Sequence, residues 1–232
     1  MPTSLIIGGR TGIGSIVKKL LIKRGDKVYT ASRSNSRDNN HISCDITETC
    51  EPILSTLKTI DYLVFTHRYR GKDWQKTFDV TIKGVNYLIE GLTSKFKKGG
   101  SVVIIGSNAS RFILEEQPAE YHSSRSGLEG LVRYHAVKYG HQKIRFNCIL
   151  PSTLIKPENK NFFVKDNPVR KMIEEITPLG RMGKAEDVGN LVEFLCSNKS
   201  MFLTGNSFLL DGGLSLVGQE TIARNLMGLK HK

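Results

Sequence analysis

A glycine-rich turn near the start of the chain has the residue types and spacing to bind the phosphates of a nucleotide. An apolar, strand-like run leads into the sequence GGRTGIG at 8–14, and apolar residues then recur at helical spacing. Gly8 would permit a tight turn, Gly12 a close approach of backbone to a pyrophosphate, and Gly14 the packing of a helix on a strand. The pattern predicts a phosphate site at a helix N-terminus, and Gly25 is expected to end that helix.

Strand-like segments alternate with helical patterns along the whole chain. The segments span residues 4–8, 27–32, 42–44, 62–66, 101–106, 144–150 and 207–210. Several are continuously apolar, as expected for parallel strands that are covered by helices on both faces. We predict an α/β fold with a single-domain, doubly wound parallel sheet, a Rossmann fold, in which ligands bind at the carboxyl ends of the strands.

Two segments depart from this regular alternation. Residues 34–42 are polar and lack apolar periodicity, so we expect no helix between the second and third strands. Residues 156–167 are rich in Lys, Asn and Pro, which predicts a mobile loop. No composition shift indicates a linker, so residues 1–232 are expected to form one domain.

Composition and charge narrow the classes of partner. The chain carries 34 Lys and Arg against 22 Asp and Glu, a net charge of +12, which suits a phosphorylated cofactor, an acidic substrate or an acidic partner. The basic residues are scattered and form no recognition motif. We therefore expect a solvated cationic surface and no nucleic-acid partner.

The cysteines and the N-terminus indicate the cellular setting. Cys44, Cys50, Cys148 and Cys196 lack metal-ligand spacing, which predicts reduced thiols and no metal site. The sequence shows no signal-peptide pattern and no apolar stretch long enough to span a membrane. We expect a cytoplasmic protein that does not bind membranes.

A second group of residues with chemical potential lies in the middle of the chain. Ser107 follows an apolar strand, and Tyr121 is followed four positions later by Arg125. Together with the glycine turn, these residues resemble the motifs of the short-chain dehydrogenase/reductase family, and the resemblance covers nearly the whole chain. Further matching stretches are Asp45-Ile46, PLGR at 178–181, EDV at 186–188, LTGN at 203–206 and LDGG at 210–213.

The resemblance implies hydride transfer between a nicotinamide cofactor and a carbonyl or an alcohol. The family uses a Tyr as acid or base, and a free phenol titrates only near ~10. A neighbouring cation lowers the pKa of that Tyr, and a Ser hydroxyl orients the substrate oxygen. By position these roles fall on Tyr121, Arg125 and Ser107, so the resemblance implies an enzyme.

The resemblance also implies a set of cofactor-binding residues. They are Gly8, Arg10, Thr11, Gly12, Ile13, Gly14, Ser32, Arg33, Asp45, Ile46, Thr66, Tyr121, Arg125 and Pro151. Members of the family that prefer NAD carry an Asp at the end of the second strand, where this chain has Ser32 and Arg33. Arg33, with Arg10 and Arg37, is expected to neutralise a ribose 2′-phosphate, which predicts NADP(H) as the cofactor.

The chain departs from the family pattern where protons are handled. Arg125 stands in place of Lys and cannot release a proton, Thr81 replaces the relay Asn, and FTHR at 65–68 replaces Asn-Asn-Ala-Gly. One interpretation is a reductase in which His67, His122 or a solvent path supplies the proton. The alternative is a noncatalytic NADP(H)-binding pseudoenzyme or regulatory subunit.

A third interpretation is an assembly module, and two observations bear on the choice among the three. Folding requires neither Ser107 nor Tyr121, so their presence favours an enzyme. An assembly module that has lost the nucleotide altogether is opposed by the intact glycine turn at 8–14.

The expected substrate is a small molecule with a carbonyl group, either anionic or bound to a carrier. The resemblance places a substrate loop at about 152–177, next to Ser107, Asn108, Tyr121, Pro151 and Ser152. An anionic substrate is favoured by the basic residues expected at the rim of this pocket: Arg68, Arg70, Arg111 or Lys156. The resemblance further implies a homodimer or homotetramer, paired through helices at about 74–95 and 121–139 and through the C-terminal strand.

Overall fold

A parallel sheet forms the centre of the protein in a computed structural model that describes residues 1–229. The strands are β1 (Thr3–Ile7), β2 (Lys27–Ser32), β3 (His41–Ser43), β4 (Ile60–Phe65), β5 (Phe96–Ile105), β6 (Arg145–Pro151), β7 (Leu154–Ile155), β8 (Gly183–Lys184) and β9 (Ser207–Leu210). Seven of them pair in the order β3-β2-β1-β4-β5-β6-β9, whereas β7 and β8 pair with each other.

Helices cover both faces of this sheet. They are α1 (Gly12–Arg24), α2 (Glu51–Thr56), α3 (Trp74–Phe78), α4 (Gly84–Leu92), α5 (Ala119–Tyr139), α6 (Pro168–Ile176), α7 (Ala185–Leu195) and α8 (Gln219–Leu226). The strand order reverses between β1 and β4, which creates a crevice at their carboxyl ends. The predicted doubly wound parallel sheet is confirmed.

The alternating side chains of the central strands fill two separate cores. Leu5 belongs to the core under α4 and α5, whereas its neighbour Ile6 belongs to the core under α1 and α7. Val102 and Val103 divide in the same way. Because side chains alternate across a strand, both sets of side chains of a covered strand are buried, and this explains the continuous apolar runs in the sequence.

The connection between β2 and β3 contains no helix, as predicted. Side chains hold this short connection instead. His41 places Nδ1 2.9 Å from Thr30 Oγ1 and Nε2 2.8 Å from the carbonyl oxygen of Ser34. An ion pair between Lys18 and Asp38 ties the same connection to α1. The end of β2 is therefore positioned without a covering helix.

The predicted helix at about 74–95 is present but changes its winding. α3 continues into a π-helical segment, Asp79–Lys83, then into α4 and a final 3-10 turn, Thr93–Lys95. Wide turns of this kind are frequent at functional sites, and Thr81 lies buried within this one. The helix predicted at 121–139 corresponds to α5, and Gly25 ends α1 in the left-handed conformation, as expected.

Some parts of the chain differ from the sequence expectation. The short elements α2, α8, β7 and β8 were not predicted, and β5 starts earlier than expected because Phe96 pairs with Ile60 across a bulge. Residues 156–167 contain no helix or strand, and their mobility stays a prediction. The wider segment 152–177 contains β7 and α6.

The expectations about cysteines, membrane spans and metal sites can be compared with the structure. All four cysteines are buried and free, and burial raises the pKa of Cys50, Cys148 and Cys196 to about 12. Within residues 1–229, every helix is too short or too polar to cross a membrane. No group of three or more metal-binding side chains converges in this part of the chain.

Candidate active site

A cleft of about 610 Å³ lies at the carboxyl ends of the central strands. The glycine turn, the ends of β2, β4, β5 and β6, the start of α5 and residues 151–159 contribute its walls. The predicted site residues that line it are Gly8, Thr11, Gly12, Ile13, Ser32, Arg33, Asp45, Ile46, Thr66, Ser107, Tyr121, Arg125 and Pro151. The fold thus brings the two predicted groups of residues, phosphate-binding and chemical, into one cavity.

The remaining two predicted residues, Gly14 and Arg10, lie outside this lining. A Cβ atom on Gly14 would come within 2.4 Å of the Gly8 carbonyl oxygen, so Gly14 serves the packing of α1 on the sheet. Arg10 lines a smaller depression beside Lys18 and Asp38. Its expected role at a 2′-phosphate stays a prediction.

The glycine turn is shaped for a close approach of backbone to a ligand. Gly8 and Gly12 adopt φ values of 88° and 55°, which side chains disfavour. A Cβ atom on Gly12 would lie 2.8 Å from Oε1 of Glu158, so this carboxylate rests against the N-terminal turn of α1. A helix N-terminus favours an anion, and a phosphate group would fit at the same place.

The far end of the cleft lies at the carboxyl end of β2. Ser32 and Arg33 line it, and His41 fixes the backbone that follows. Among residues 1–229, no carboxylate forms a salt bridge with Arg33, whose side chain is exposed. Asp45 Oδ1 accepts hydrogen bonds from the backbone and the hydroxyl of Thr47, at 3.0 and 2.7 Å, so its carboxylate is held in place.

The candidate catalytic residues Ser107, Tyr121 and Arg125 follow β5 or lie on α5. Ser107 follows β5 directly, and its Oγ accepts a hydrogen bond of 3.2 Å from the backbone of Ala109. Tyr121 and Arg125 lie one turn apart on α5, and the guanidinium carbon is 5.0 Å from the centroid of the phenol ring. Arg125 is only 4% exposed, and it donates to the carbonyl oxygen of Ile105 at 3.3 Å. Within residues 1–229, its buried Nε has no hydrogen-bond partner, which leaves one donor for a ligand.

The cations around Tyr121 tune its phenol. Burial alone raises the pKa of Tyr121, but Arg125, the adjacent Ser107 hydroxyl, Arg68 and Lys156 together bring this pKa below the ordinary value. A lowered pKa suits a residue that must both give and take a proton near neutral pH. Arg125 thus provides the charge that the family obtains from Lys.

The two histidines near the site lie in different surroundings. Burial lowers the pKa of His67 to about 4, so its ring is uncharged above that pH. His67 Nε2 is 3.1 Å from the carbonyl oxygen of Val80, while its buried Nδ1 has no partner. His122 lies outside the cleft lining, between the carbonyl oxygens of Ala109 and Leu114 at 2.9 and 3.1 Å.

The basic rim consists of Arg68, Arg70 and Lys156, all of which line the cleft. Arg111 was also expected at the rim, but in the structure it does not line the cleft. It forms a salt bridge with Glu129 on α5, with its Nη2 atom 2.7 Å from Oε2. Glu158, in contrast, was not predicted as a site residue, because nothing in the sequence indicates that it reaches the glycine turn.

A parallel sheet with a glycine turn at its switch point, together with a Ser and a Tyr–cation pair facing the same cleft, defines a dinucleotide-binding oxidoreductase. A family model described as enoyl-(acyl carrier protein) reductase matches residues 10–215. The chain belongs to the short-chain dehydrogenase/reductase family, whose members bind nicotinamide cofactors.

Similar proteins cover almost the whole chain. An uncharacterized oxidoreductase of Schizosaccharomyces pombe is 31% identical over 96% of this chain and 93% of its own length. The 3-oxoacyl-(acyl-carrier-protein) reductase FabG of Rickettsia prowazekii is 27% identical over 93% of this chain and 97% of its own. A short-chain dehydrogenase structure from Francisella tularensis aligns with a TM-score of 0.80 and 25% identity, covering 94% of this chain and 100% of that chain.

Proposed function

We propose that this oxidoreductase is an NADP(H)-dependent carbonyl reductase or alcohol dehydrogenase that acts on a small anionic or carrier-bound carbonyl compound. The observation that carries the proposal is the presence of Tyr121, with its lowered pKa, in the same cleft as the glycine turn. A lowered pKa suits proton transfer, whereas nucleotide binding by itself does not require it.

Several features of the cleft support the binding of a phosphorylated nicotinamide dinucleotide. Gly8 and Gly12 have backbone conformations that keep side chains away from the turn, and Arg125 keeps an unpartnered donor. When bound, the cofactor would supply or accept the hydride. Gly12 and Ile13 would hold its pyrophosphate, Arg125 the nicotinamide ribose, and Arg33 the 2′-phosphate that distinguishes NADP from NAD.

The chain's own residues would then perform the proton chemistry. Ser107 would orient the carbonyl oxygen, and the Tyr121 hydroxyl would donate its proton to that oxygen during reduction. In the reverse direction the phenolate would take the proton of the alcohol. The cation of Arg125 stabilises this phenolate.

The rim supports an anionic substrate. Arg68 and Arg70 line the cleft, and neither forms a salt bridge with another residue of the described part of the chain. Unpaired guanidinium groups bind carboxylates and phosphates well. A carrier-bound acyl group is also consistent with the relative from Rickettsia prowazekii, which is named as a reductase of such substrates.

The departures at Arg125 and Thr81 favour one competing function, a noncatalytic NADP(H)-binding protein. Titration of the purified protein with NADPH and NADH, followed by nicotinamide fluorescence, tests the cofactor first. A screen of α-keto acids and 3-oxoacyl thioesters, each with an uncharged ester as control, then tests the substrate. Turnover that Tyr121→Phe abolishes supports the enzyme, and binding without turnover supports the competing function.

The proposal also covers the domain organisation, the cellular location and the oligomeric state of the protein. We place residues 1–232 in one domain, the protein in the cytoplasm, and the functional unit in a homodimer or homotetramer. The exposed apolar side chains Tyr87 on α4 and Tyr134 and Val137 on α5 support pairing through these helices.

A further inference from the structure

Each reduction would leave Tyr121 without its proton. The carbonyl carbon receives a hydride, the carbonyl oxygen receives the proton of the Tyr121 hydroxyl, and a phenolate remains. The next turnover requires a new proton on this phenolate, which comes either from solvent or from a nearby group that can release one.

Most charged groups around Tyr121 cannot do this. Arg125 and Arg68 are guanidinium groups, which stay charged in proteins. His67 is buried and uncharged at neutral pH, and its Nε2 faces the carbonyl oxygen of Val80. Among the cations that act on Tyr121, only Lys156 carries a proton that it can give up.

Lys156 is held in the cleft by its own loop. Its backbone N–H donates to Asn159 Oδ1 at 2.6 Å, and Asn159 Nδ2 donates to the carbonyl oxygen of Leu154 at 3.0 Å. Leu154 is in turn fixed by the pairing of β7 with β8. The half-buried Lys156 lines the same cleft as Tyr121, and no salt bridge within residues 1–229 engages its ammonium.

The groups that face Lys156 favour release of its proton. Burial and then Arg68 lower its pKa, and Arg70 on the same wall acts in the same direction. Glu158 on the loop itself and Tyr121 on α5 oppose this effect, but the pKa stays below its ordinary value. Lys156 and Tyr121 line the same cleft, and the charge of each one shifts the pKa of the other.

We infer that Lys156 is the proton donor that restores Tyr121 after each reduction, and this inference rests on the proposed reductase function. One N–H bond of the Lys156 ammonium breaks, the proton moves to the phenolate oxygen, and the neutral amine takes a proton from water. The substrate loop thus supplies the proton that Arg125 on α5 cannot release.

The test separates the first turnover from those that follow. Lys156→Arg keeps the charge but cannot release a proton, and Lys160→Arg in the same loop, at an exposed position, is the matched control. With enzyme in excess, Lys156→Arg should reduce one equivalent of carbonyl as fast as the wild type, because Tyr121 starts protonated. Its steady-state kcat should fall about 10²-fold. Small primary amines in the buffer should restore part of this loss, and the Kd for NADPH should not change.

A readout without cofactor checks the juxtaposition. Lys156→Gln removes the cation, so alkaline titration of the tyrosinate absorbance should show a higher pKa for Tyr121, which Tyr121→Phe identifies in the spectrum. An unchanged titration, an unchanged kcat in Lys156→Arg, or an equal loss in the first and later turnovers overturns the inference. Absence of turnover in both the wild type and Lys160→Arg overturns the proposed function and the inference with it.

Discussion

Arg125 supplies the charge needed at its position without supplying a mobile proton. Its guanidinium is buried against the Tyr121 ring and contributes to lowering the pKa of the phenol. A lysine provides both the charge and a proton, whereas an arginine separates the two functions. At the scale of single residues, we propose that a second basic group, Lys156, supplies the proton that Arg125 cannot release.

This division of labour predicts rescue in a double variant. Arg125→Lys in the Lys156→Arg background should recover most of the lost steady-state turnover, because a proton-releasing ammonium is then present on α5. The measurement is kcat for the two single variants and the double variant with one carbonyl substrate. Simple additivity of the two effects would show that the two positions do not share a proton path.

Arg33 governs the second residue-scale prediction. Arg33→Ala should weaken NADPH binding by about 10- to 100-fold, because charge-assisted hydrogen bonds contribute ~1.5–3 kcal/mol. NADH lacks the 2′-phosphate, so its Kd should change little. Fluorescence titration with both cofactors measures this, and Arg133→Ala, at an exposed position of α5 outside the cleft lining, is the control. An unaltered NADPH-to-NADH preference would remove the basis for NADP(H).

Sequence motifs were most useful where the position of a residue depends on local spacing. Ser107, Tyr121 and Arg125 could be predicted as one group because the first follows a strand and the other two lie one helical turn apart. Arg111 was misplaced because its partner Glu129 lies on another element, and such pairing depends on tertiary structure. Lys156 was placed only at the rim, since its approach to Tyr121 depends on how the loop folds.

At the scale of elements, the loop after β7 meets the turn before α1. The Glu158 carboxylate rests on Gly12 where a pyrophosphate would bind, so the two negative groups compete for one helix N-terminus. Binding of a dinucleotide must therefore displace the Glu158 carboxylate from Gly12. This contact links cofactor binding to the conformation of the Glu158 side chain.

Neutralising this carboxylate should tighten cofactor binding. Glu158→Gln is expected to lower the Kd for NADPH about two- to five-fold, because a charge at a helix N-terminus contributes roughly 0.3–1 kcal/mol. Calorimetric titration measures the change at low ionic strength, and Glu175→Gln, exposed on α6, serves as control. Weaker binding in Glu158→Gln would mean that the carboxylate assists the cofactor.

The regular elements followed from the sequence more easily than their local irregularities did. Continuous apolar runs indicated several of the seven strands of the main sheet, because such runs are typical of parallel strands that are covered on both faces. The π-helical turn around Thr81 could not be predicted, since its side chains keep a helical pattern. The pairing of β7 with β8 rests on two short segments that carry no period of their own.

At the scale of the whole molecule, the outer surface of α4 and α5 predicts self-association. Val137 is 86% exposed and lies one turn from the exposed Tyr134, which is costly for a surface that stays in water. Light scattering should give a mass of two or four times 25.9 kDa. Val137→Glu should shift the mass towards the monomer, whereas Ile113→Glu, at 83% exposure in a loop, should not. A monomeric wild type would contradict the prediction.

The order of strands in the sheet has a consequence for synthesis of the chain. β3, β2, β1 and β4 are neighbours and all come from residues 3–65, so this half of the sheet can pair while the ribosome is still producing the rest. β5, α5 and β6 follow, and the edge strand β9 comes last. A nascent chain would therefore complete its phosphate-binding turn well before Tyr121, Arg125 and Lys156 emerge, and the dinucleotide could act as a folding ligand before any chemistry is possible.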